Sequence, residues 1–527
     1  MNRKNKNNQN RYRRMKITSI LAGCLMFVWA GCEEFLTPDP QSFTSTVEYF
    51  NSPSHFEAGV NSAYARLRTQ AGVHNLQFRL ITELRFDAIN RQFDINLPGV
   101  NEQPFQEWFA VPSNTVPRGQ WNQIFQTVAQ TNIVLERLDN IEWTDQTQRN
   151  QIEAQARFIR AFSYYFGVQM FGDLPIVTTE QTTPDVAIDK QRSPVEQVYS
   201  NLIIPDLIFA ADNLPPTWSQ PGRATSGAAK TLLGKVYLNT GDYGSAISEL
   251  EDVLGQYELL DSYRNIFNPG NTNNEESIFE LQFGANVTGQ PQAISPALLV
   301  PLHKRGEIVD EIVNPSNNGM YPSYEMMEFY EDTDNDQRFT EGLQPLVDPD
   351  NVNYPEVSHD GTIYLMNKYL WPDYINAQGQ MEGNIILLRY ADVLLSLAEA
   401  HWRNNDGAGV ALPYVNEVRD RAGLGPVDLG NVFNSFMLEG TALENDALGR
   451  AIFNERTVEF LGEGHRMFDL LRFGVAYEVA SAQATSRKTR EPRISGVYNI
   501  QPHEILLPIH PEEISASNNQ ITQNPGW

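Results

Sequence analysis

Gly227-Ala228-Ala229-Lys230-Thr231-Leu232-Leu233-Gly234-Lys235-Val236-Tyr237-Leu238 is followed by Gly241-Asp242-Tyr243 and then by Ala246, Ile247, Leu250 and Leu254. Apolar residues return every three or four positions on both sides of the Gly-Asp-Tyr turn, the period of helices with one buried face. The stretch therefore predicts two short helices packed side by side. Small residues at the inner positions, Gly234 and Ala246 among them, are what two closely approaching helices require.

A Leu-Gly-x-x-Tyr-Leu helix, a tight turn and a second helix with an inner alanine resemble one tetratricopeptide repeat, a unit that buries its apolar face only by stacking on its neighbours. Further pairs are predicted on either side. From Trp121 to Phe171 the positions Trp121, Ile124, Phe125, Val128, Leu135 and Leu138, then Ile152, Phe158, Phe162, Tyr165 and Phe166, keep helical spacing. That segment closes at Phe171-Gly172-Asp173-Leu174-Pro175, where Gly ends a helix and Pro forbids its resumption. Leu387 to Arg403 with Val410 to Ala422 forms another pair across Asn404-Asn405-Asp406-Gly407, and Leu448 to Phe473 reads as a continuous helical stretch. Between them lie tracts rich in Asn, Pro, Gly and aromatic residues, at 72–117, 264–382 and 475–527. Ordered loops of that length are usually functional. Ser277 to Phe283 is the clearest strand. The fold class is mainly α: a tetratricopeptide-like helix-pair scaffold with a large loop-rich, irregular ligand-binding half and few short strands.

Composition narrows the function. In 527 residues, 41% are hydrophobic, with 35 Gly and 31 Pro, which excludes disorder and collagen. The net charge is −26, yet residues 1–31 hold seven basic residues and no acidic one; removing those seven from 39 leaves 32 basic against 65 acidic, or −33. Nucleic-acid affinity comes mostly from Lys and Arg displacing counterions, so no nucleic acid is expected as partner. The two cysteines are Cys24 and Cys32. The body has no disulfide framework and no cysteine zinc site, as suits an exported protein.

The N-terminus supplies the address. Basic residues up to Lys16, the apolar run Ile17 to Ala30 and Gly31-Cys32 follow the order of a bacterial export signal. The run is shorter than the ~20 residues a membrane span needs. A cysteine after small residues resembles a lipoprotein box, and two compete. Leu21-Ala22-Gly23-Cys24 is the better local match but would leave Leu25-Met26-Phe27-Val28-Trp29 exposed; Trp29-Ala30-Gly31-Cys32 keeps the whole apolar region and is followed by Glu33-Glu34. Cys32 is the preferred lipidation site. The true start is Met1 or Met15.

Two clusters invite chemistry. Glu455, Arg456, Glu459, Glu463, Arg466, Asp469 and Arg472 include paired carboxylates of the kind that hydrolyse glycosides. Glutamates at i, i+4 repel unless cations intervene, and with Arg389 and Arg466 as partners the cluster reads as an ion-pair network locking helices. Asp332-Thr333-Asp334-Asn335-Asp336 opens like a calcium loop, but Gln337 stands where an EF-hand needs Gly and Leu343 where it needs Glu. A solvated acidic turn is favoured over a looser calcium site. The eight histidines lack zinc-enzyme spacing.

Five ordered signatures resemble the SusD/RagB family of outer-membrane nutrient-binding lipoproteins of Bacteroidetes. They are Cys32-Glu33-Glu34-Phe35-Leu36; Arg160-Ala161 through Phe171-Gly172-Asp173-Leu174-Pro175; Leu388-Arg389-Tyr390-Ala391-Asp392-Val393-Leu394-Leu395 to Ala398-Glu399-Ala400, with Val415-Asn416 and Val418-Arg419; Glu455-Arg456, Glu459, Glu463-Gly464-His465-Arg466, Asp469-Leu470 and Arg472; and the tail Leu507-Pro508-Ile509, Glu513-Ile514 and Gln523-Asn524-Pro525-Gly526-Trp527. The resemblance implies a signal peptide at 1–31 and one domain at 32–527, with an N-terminal region at about 32–240 and a C-terminal region at about 270–527. It further implies a lipid-anchored, cell-surface, non-enzymatic protein of the outer membrane that needs no cofactor. Such a protein captures an oligosaccharide, or in some members a peptide, and delivers it to a SusC-like TonB-dependent transporter. A surface glycoside hydrolase and a scaffold for protein partners are the rival readings.

Family ligand residues carry over by no motif, so candidates come from chemistry. Sugar rings stack on aromatic faces and bond to planar or charged side chains. Arg85, Asp87, Asn90, Arg91 and Trp108 supply these in the first loop tract, and Tyr321, Tyr324, Trp371 and Tyr374 in the second. Each aromatic could instead pack beneath its loop. Trp121, Trp402 and the repeat tyrosines are expected in the core.

Overall fold

The structure is a computed structural model that describes residues 49–71, 76–91, 108, 110–180, 191–283, 320–330, 332–346, 363–374, 383–490 and 499–527. Cys32 and the whole N-terminal address lie outside them. The chain divides into two compact units, Met1–Asn51 and Ser52–Trp527; all that follows concerns the second.

Its backbone is a stack of helices: α1 (Pro53–Ala71), α2 (Thr115–Glu136), α3 (Gln146–Phe171), α4 (Ile204–Asn213), α5 (Ser226–Thr240), α6 (Tyr243–Glu251), α7 (Tyr390–Arg403) and α8 (Ala408–Arg421). Each packs on the next, and α1 on α3, α3 on α5 and α5 on α7 as well. Packing on the first and second neighbour is the geometry of a helical repeat. Helix ends follow the sequence. Asp145 accepts from the Thr147 and Gln148 amides to start α3, Thr225 caps α5, and Gly241 ends α5 at φ 80° before Asp242 caps α6. A Cβ on Gly234 would lie 2.5 Å from Leu250 Cγ, so only glycine permits the approach of α5 and α6.

Helix α7 follows α6 in the stack although residues 252–389 separate them in sequence. The irregular half is thus an excursion between two successive repeats. Among the described residues it is tied by three two-stranded antiparallel sheets: β1 (Ile89–Arg91) with β3 (Met320–Pro322), β2 (Ser277–Leu281) with β6 (Ile385–Arg389), and β4 (Gln344–Leu346) with β5 (Ile363–Leu365). Beyond α8 come α9 (Ala447–Glu459), α10 (Arg466–Phe473), α11 (Ala476–Arg490) and α12 (Pro511–Ala516).

Aromatic residues weld the halves together. Phe158, Phe162 and Phe166 share one face of α3 at i, i+4. Phe158 meets Phe279 of β2 at 5.1 Å, and Phe166 stacks on Phe468 of α10 at 5.4 Å. Trp121 belongs to the core, edge-on to Phe171, and Trp402 is partly buried against it, stacked on Phe473.

Three boundaries differ from expectation. Leu387 and Leu388 extend β6, and the helix starts only at Tyr390, because the apolar run pairs with β2. The stretch from Leu448 to Phe473 is broken after Glu459 by Gly462 and Gly464, at φ 76° and 87°, so Glu463 leaves the helix face of Glu455 and Glu459. The tract 475–527, expected as loop, carries the two helices α11 and α12. Among the described residues no helix is long and apolar enough to cross a membrane.

Candidate ligand-binding surface

Where the excursion rejoins the stack, a buried ion-pair network holds it. Arg389, last residue of β6, donates from Nη1 to Glu276 at 2.8 Å and to Glu459 at 2.6 Å, and from Nε to Glu463 at 2.8 Å. Arg421 also pairs with Glu459 and Glu276, Arg338 with Asp336 and Glu455, and Lys368 with Glu463 at 2.9 Å. A second set joins α7 to α10: Arg456 bridges Asp392 and Asp469 at 3.0 and 2.9 Å, and Arg472 bridges Glu399 and Asp469 at 2.8 Å. Burial opposes ionisation of Glu459, but Arg421, Arg389 and Arg338 outweigh it and hold the carboxyl well below its usual range. Asp469 is held low in the same way by Arg456 and Arg472.

The carboxylates that resembled a catalytic pair are thus each committed to arginine or lysine. One partner differs from expectation: Arg466 reaches Asp87 from Nε at 2.7 Å, not the glutamates of α9. In the acidic turn, Asp332 accepts from the Asp334 and Asn335 amides at 3.0 and 3.1 Å, and Asp336 turns inward to Arg338.

In the first candidate tract Arg85, Asp87 and Trp108 are interior, packed beneath the loop. Asp87 is fully buried on Arg466. Trp108 is buried, donates its indole N–H to the Arg85 carbonyl at 2.9 Å and lies 3.9 Å from the Arg85 guanidinium, which itself donates to the Glu504 carbonyl at 2.6 Å. Arginine covers the ring on one side, and Phe86 meets it edge-on at 5.5 Å. Asn90 and Arg91 lie in β1 opposite Tyr321 and Met320, so the fold joins the two tracts on one small sheet; their side chains lie outside the described residues. Tyr321 is buried, and Tyr324 opens a helical turn, partly buried, behind the Ser323 cap.

Trp371 and Tyr374 form a separate cluster that is only partly buried. The Arg264 guanidinium sits 4.1 Å from the Trp371 ring centre and is fixed by the Leu370 and Asn367 carbonyls at 2.7 and 3.2 Å. The indole N–H donates to the Lys368 carbonyl at 2.9 Å. The Tyr374 hydroxyl lies against Gly270, where a Cβ would be 2.2 Å away. Trp371 is therefore a rigid, partly open aromatic surface backed by a cation, and Lys368 beneath it belongs to the ion-pair network. Arg264 was not among the sequence candidates; only its place in the second loop tract could have marked it.

A helical-repeat scaffold that carries a braced, aromatic-bearing excursion defines the class. Residues 241–527 match the sequence model of the SusD family, and residues 35–238 match one described as starch-binding associating with outer membrane. The chain belongs to the SusD family. It is 24% identical to SusD-like protein P25 of Formosa agariphila over 95% of this chain and 97% of that one. In fold it is similar to surface glycan-binding protein A from Bacteroides fluxus, with TM-score 0.71 and 22% identity, over 90% of this chain and 100% of that one. It is similar also to a laminarin-binding SusD-like protein, with TM-score 0.69 and 24% identity over 90% and 100% of the two chains.

Proposed function

We propose that the protein captures a glycan at the cell surface and delivers it to a SusC-like TonB-dependent transporter, making and breaking no bond itself. The observation that carries this reading is the partly open Trp371, gripped by Arg264 and seated on a buried ion-pair network. Stacking on a sugar ring asks for such a rigid aromatic face, whereas glycoside hydrolysis asks for two free carboxylates across a cleft. Those of the suspected cluster are engaged. The starch- and glycan-binding descriptions of the family model and of the structural neighbours support the same cargo. Cleavage of residues 1–31 and lipidation at Cys32 would hold the domain 32–527 at the outer membrane, since two or more acyl chains suffice for stable anchoring. Tyr374 and Tyr324 are the remaining ligand candidates at the surface, with Asn90, Arg91 and Tyr321 on the β1–β3 sheet between the tracts.

Calorimetry against a panel of oligosaccharides and peptides tests the cargo. Saturable glycan binding that Trp371→Ala weakens is the expected result; a peptide as the sole ligand, or release of shortened glycan, overturns it. Copurification of a barrel-forming transporter from the outer membrane tests the partner.

A further inference from the structure

A groove of about 430 Å³ opens on another part of the molecule, between the α4–α5 connection and β2, and shares no lining residue with the Trp371 cluster. One wall is the loop 214–225, stiffened by Pro215, Pro216 and Pro221. Trp218 closes that loop on itself, its indole N–H donating to the Ala224 carbonyl at 2.7 Å. Gly222, at φ 85°, lies so close to Gln282 that a Cβ would sit 2.1 Å from its Cγ, which pins the loop to the end of β2. The facing wall is Gln256-Tyr257-Glu258 with Asn273 to Glu275. Tyr257 is set against the start of α5, where a Cβ on Gly227 would be 2.5 Å from its hydroxyl. Trp218 and Tyr257 are both only partly buried.

The lining is of one chemical kind. Two fixed aromatic rings stand beside the amides of Gln220, Gln256 and Asn273, the last two steadied by the Asp252 carbonyl and by the Gln282 side chain, in a volume within the usual range of small-ligand sites. The cation on the wall, Arg223, is matched by Glu57 at 3.1 Å and also donates to Gln155 at 2.8 Å. Glu258 and Glu275 then leave the groove acidic. A uronate or sulfated chain would be repelled, and a neutral polyhydroxyl chain would find rings to stack on and amides to bond with. A preformed wall lowers the ordering cost of binding.

We propose that this groove is a second saccharide site, selective for neutral glycans. The inference rests on the glycan-capture reading above. The test labels the full chain, in detergent, with 5-fluorotryptophan and follows its ¹⁹F spectrum. Trp218→Phe and Trp371→Phe assign the two signals. Maltohexaose, laminarihexaose, cellohexaose, mannohexaose and xylohexaose are the neutral probes, and hexagalacturonate is the anionic one. Expected is a saturable shift of the Trp218 signal with at least one neutral hexaose and none with hexagalacturonate. Tyr257→Ala should weaken the Trp218 response at least tenfold while leaving the Trp371 response in place. A neutral hexaose that moves Trp371 but not Trp218 overturns the second site and leaves glycan capture standing. No movement of either signal with any neutral hexaose overturns both. Movement of Trp218 by hexagalacturonate overturns the neutral assignment.

Discussion

Arg389 holds Glu459 twice, its Nη1 on the carboxylate at 2.6 Å and its Nη2 on the backbone carbonyl at 2.9 Å. One side chain thereby fixes both the charge and the last turn of α9, and it does so from the strand at which the excursion returns to the stack. Removing one partner of a buried pair leaves the other charge unmatched, at a cost of about 3–5 kcal/mol. Arg389→Ala should lower the urea midpoint accordingly. Arg389→Lys should rescue little, because one ammonium cannot meet Glu276, Glu459 and Glu463 in the plane that the guanidinium spans. A midpoint equal to that of the wild type would show that the network is dispensable.

Acid should unfold the protein through the same carboxylates. Glu459 and Asp469 are held below their ordinary values of 4.5 and 3.8. Groups lowered in the folded state lend stability that is complete above the ordinary value and fades as pH falls through the folded one. Stability should therefore drop below about pH 4.5, and Glu459→Gln, though weaker at neutral pH, should lose less on acidification. Urea titrations at a series of pH values read both slopes.

Glu83 should act in the opposite sense. Burial raises its carboxyl to about 7 even though Arg79 and the Gly464 amide favour the charge. A group raised in the folded state lends stability below its ordinary value of 4.5 and loses it as pH rises through 7. Glu83→Gln should thus gain relative to wild type between pH 5 and pH 8, by up to about 3 kcal/mol. An unchanging difference between the two proteins would refute the shift.

Glycine at 234 is a packing requirement. Gly234→Ala drives a methyl into Leu250 and should cost about 1–3 kcal/mol. Gly244, in the next helix, has open space for 4 Å around the point where a methyl would stand, so Gly244→Ala should be neutral or stabilising by up to ~1 kcal/mol. Thermal unfolding of the two variants side by side makes the comparison.

The two loop tryptophans should separate stability from binding. Trp108→Ala removes a buried ring that Arg85 covers and should cost about 3–5 kcal/mol in folding. Trp371→Ala should leave the unfolding midpoint nearly in place and remove glycan affinity at that ring. Arg264→Ala, which frees the back of the same ring, should weaken affinity without abolishing it.

The helical repeat was legible because it is local. Gly234, Gly241 and Ala246 mark the closest approaches within a few residues of one another, and the apolar period does the rest. The strand β6 was not, because Leu387 and Leu388 satisfy a helical and a strand pattern equally, and the choice is made by β2, more than a hundred residues away. The candidate site was legible in part. Trp371 and Tyr374 stand at a partly open surface, but nothing near Asp87 or Trp108 announces that Arg466 and Arg85 will claim them. The same holds for the groove: Trp218 among prolines was visible as a sequence, whereas Tyr257 and Asn273 meet it only through the fold.

Residues 252–389 leave the stack after α6 and come back beside it at α7. The first six helices precede the excursion in the chain, so they can pack on one another without it. The final repeat must wait for its return. A protein arranged this way can change the length of the detour without re-registering the repeats on either side, provided that Arg389 still finds Glu276 and Glu459 when the chain comes home.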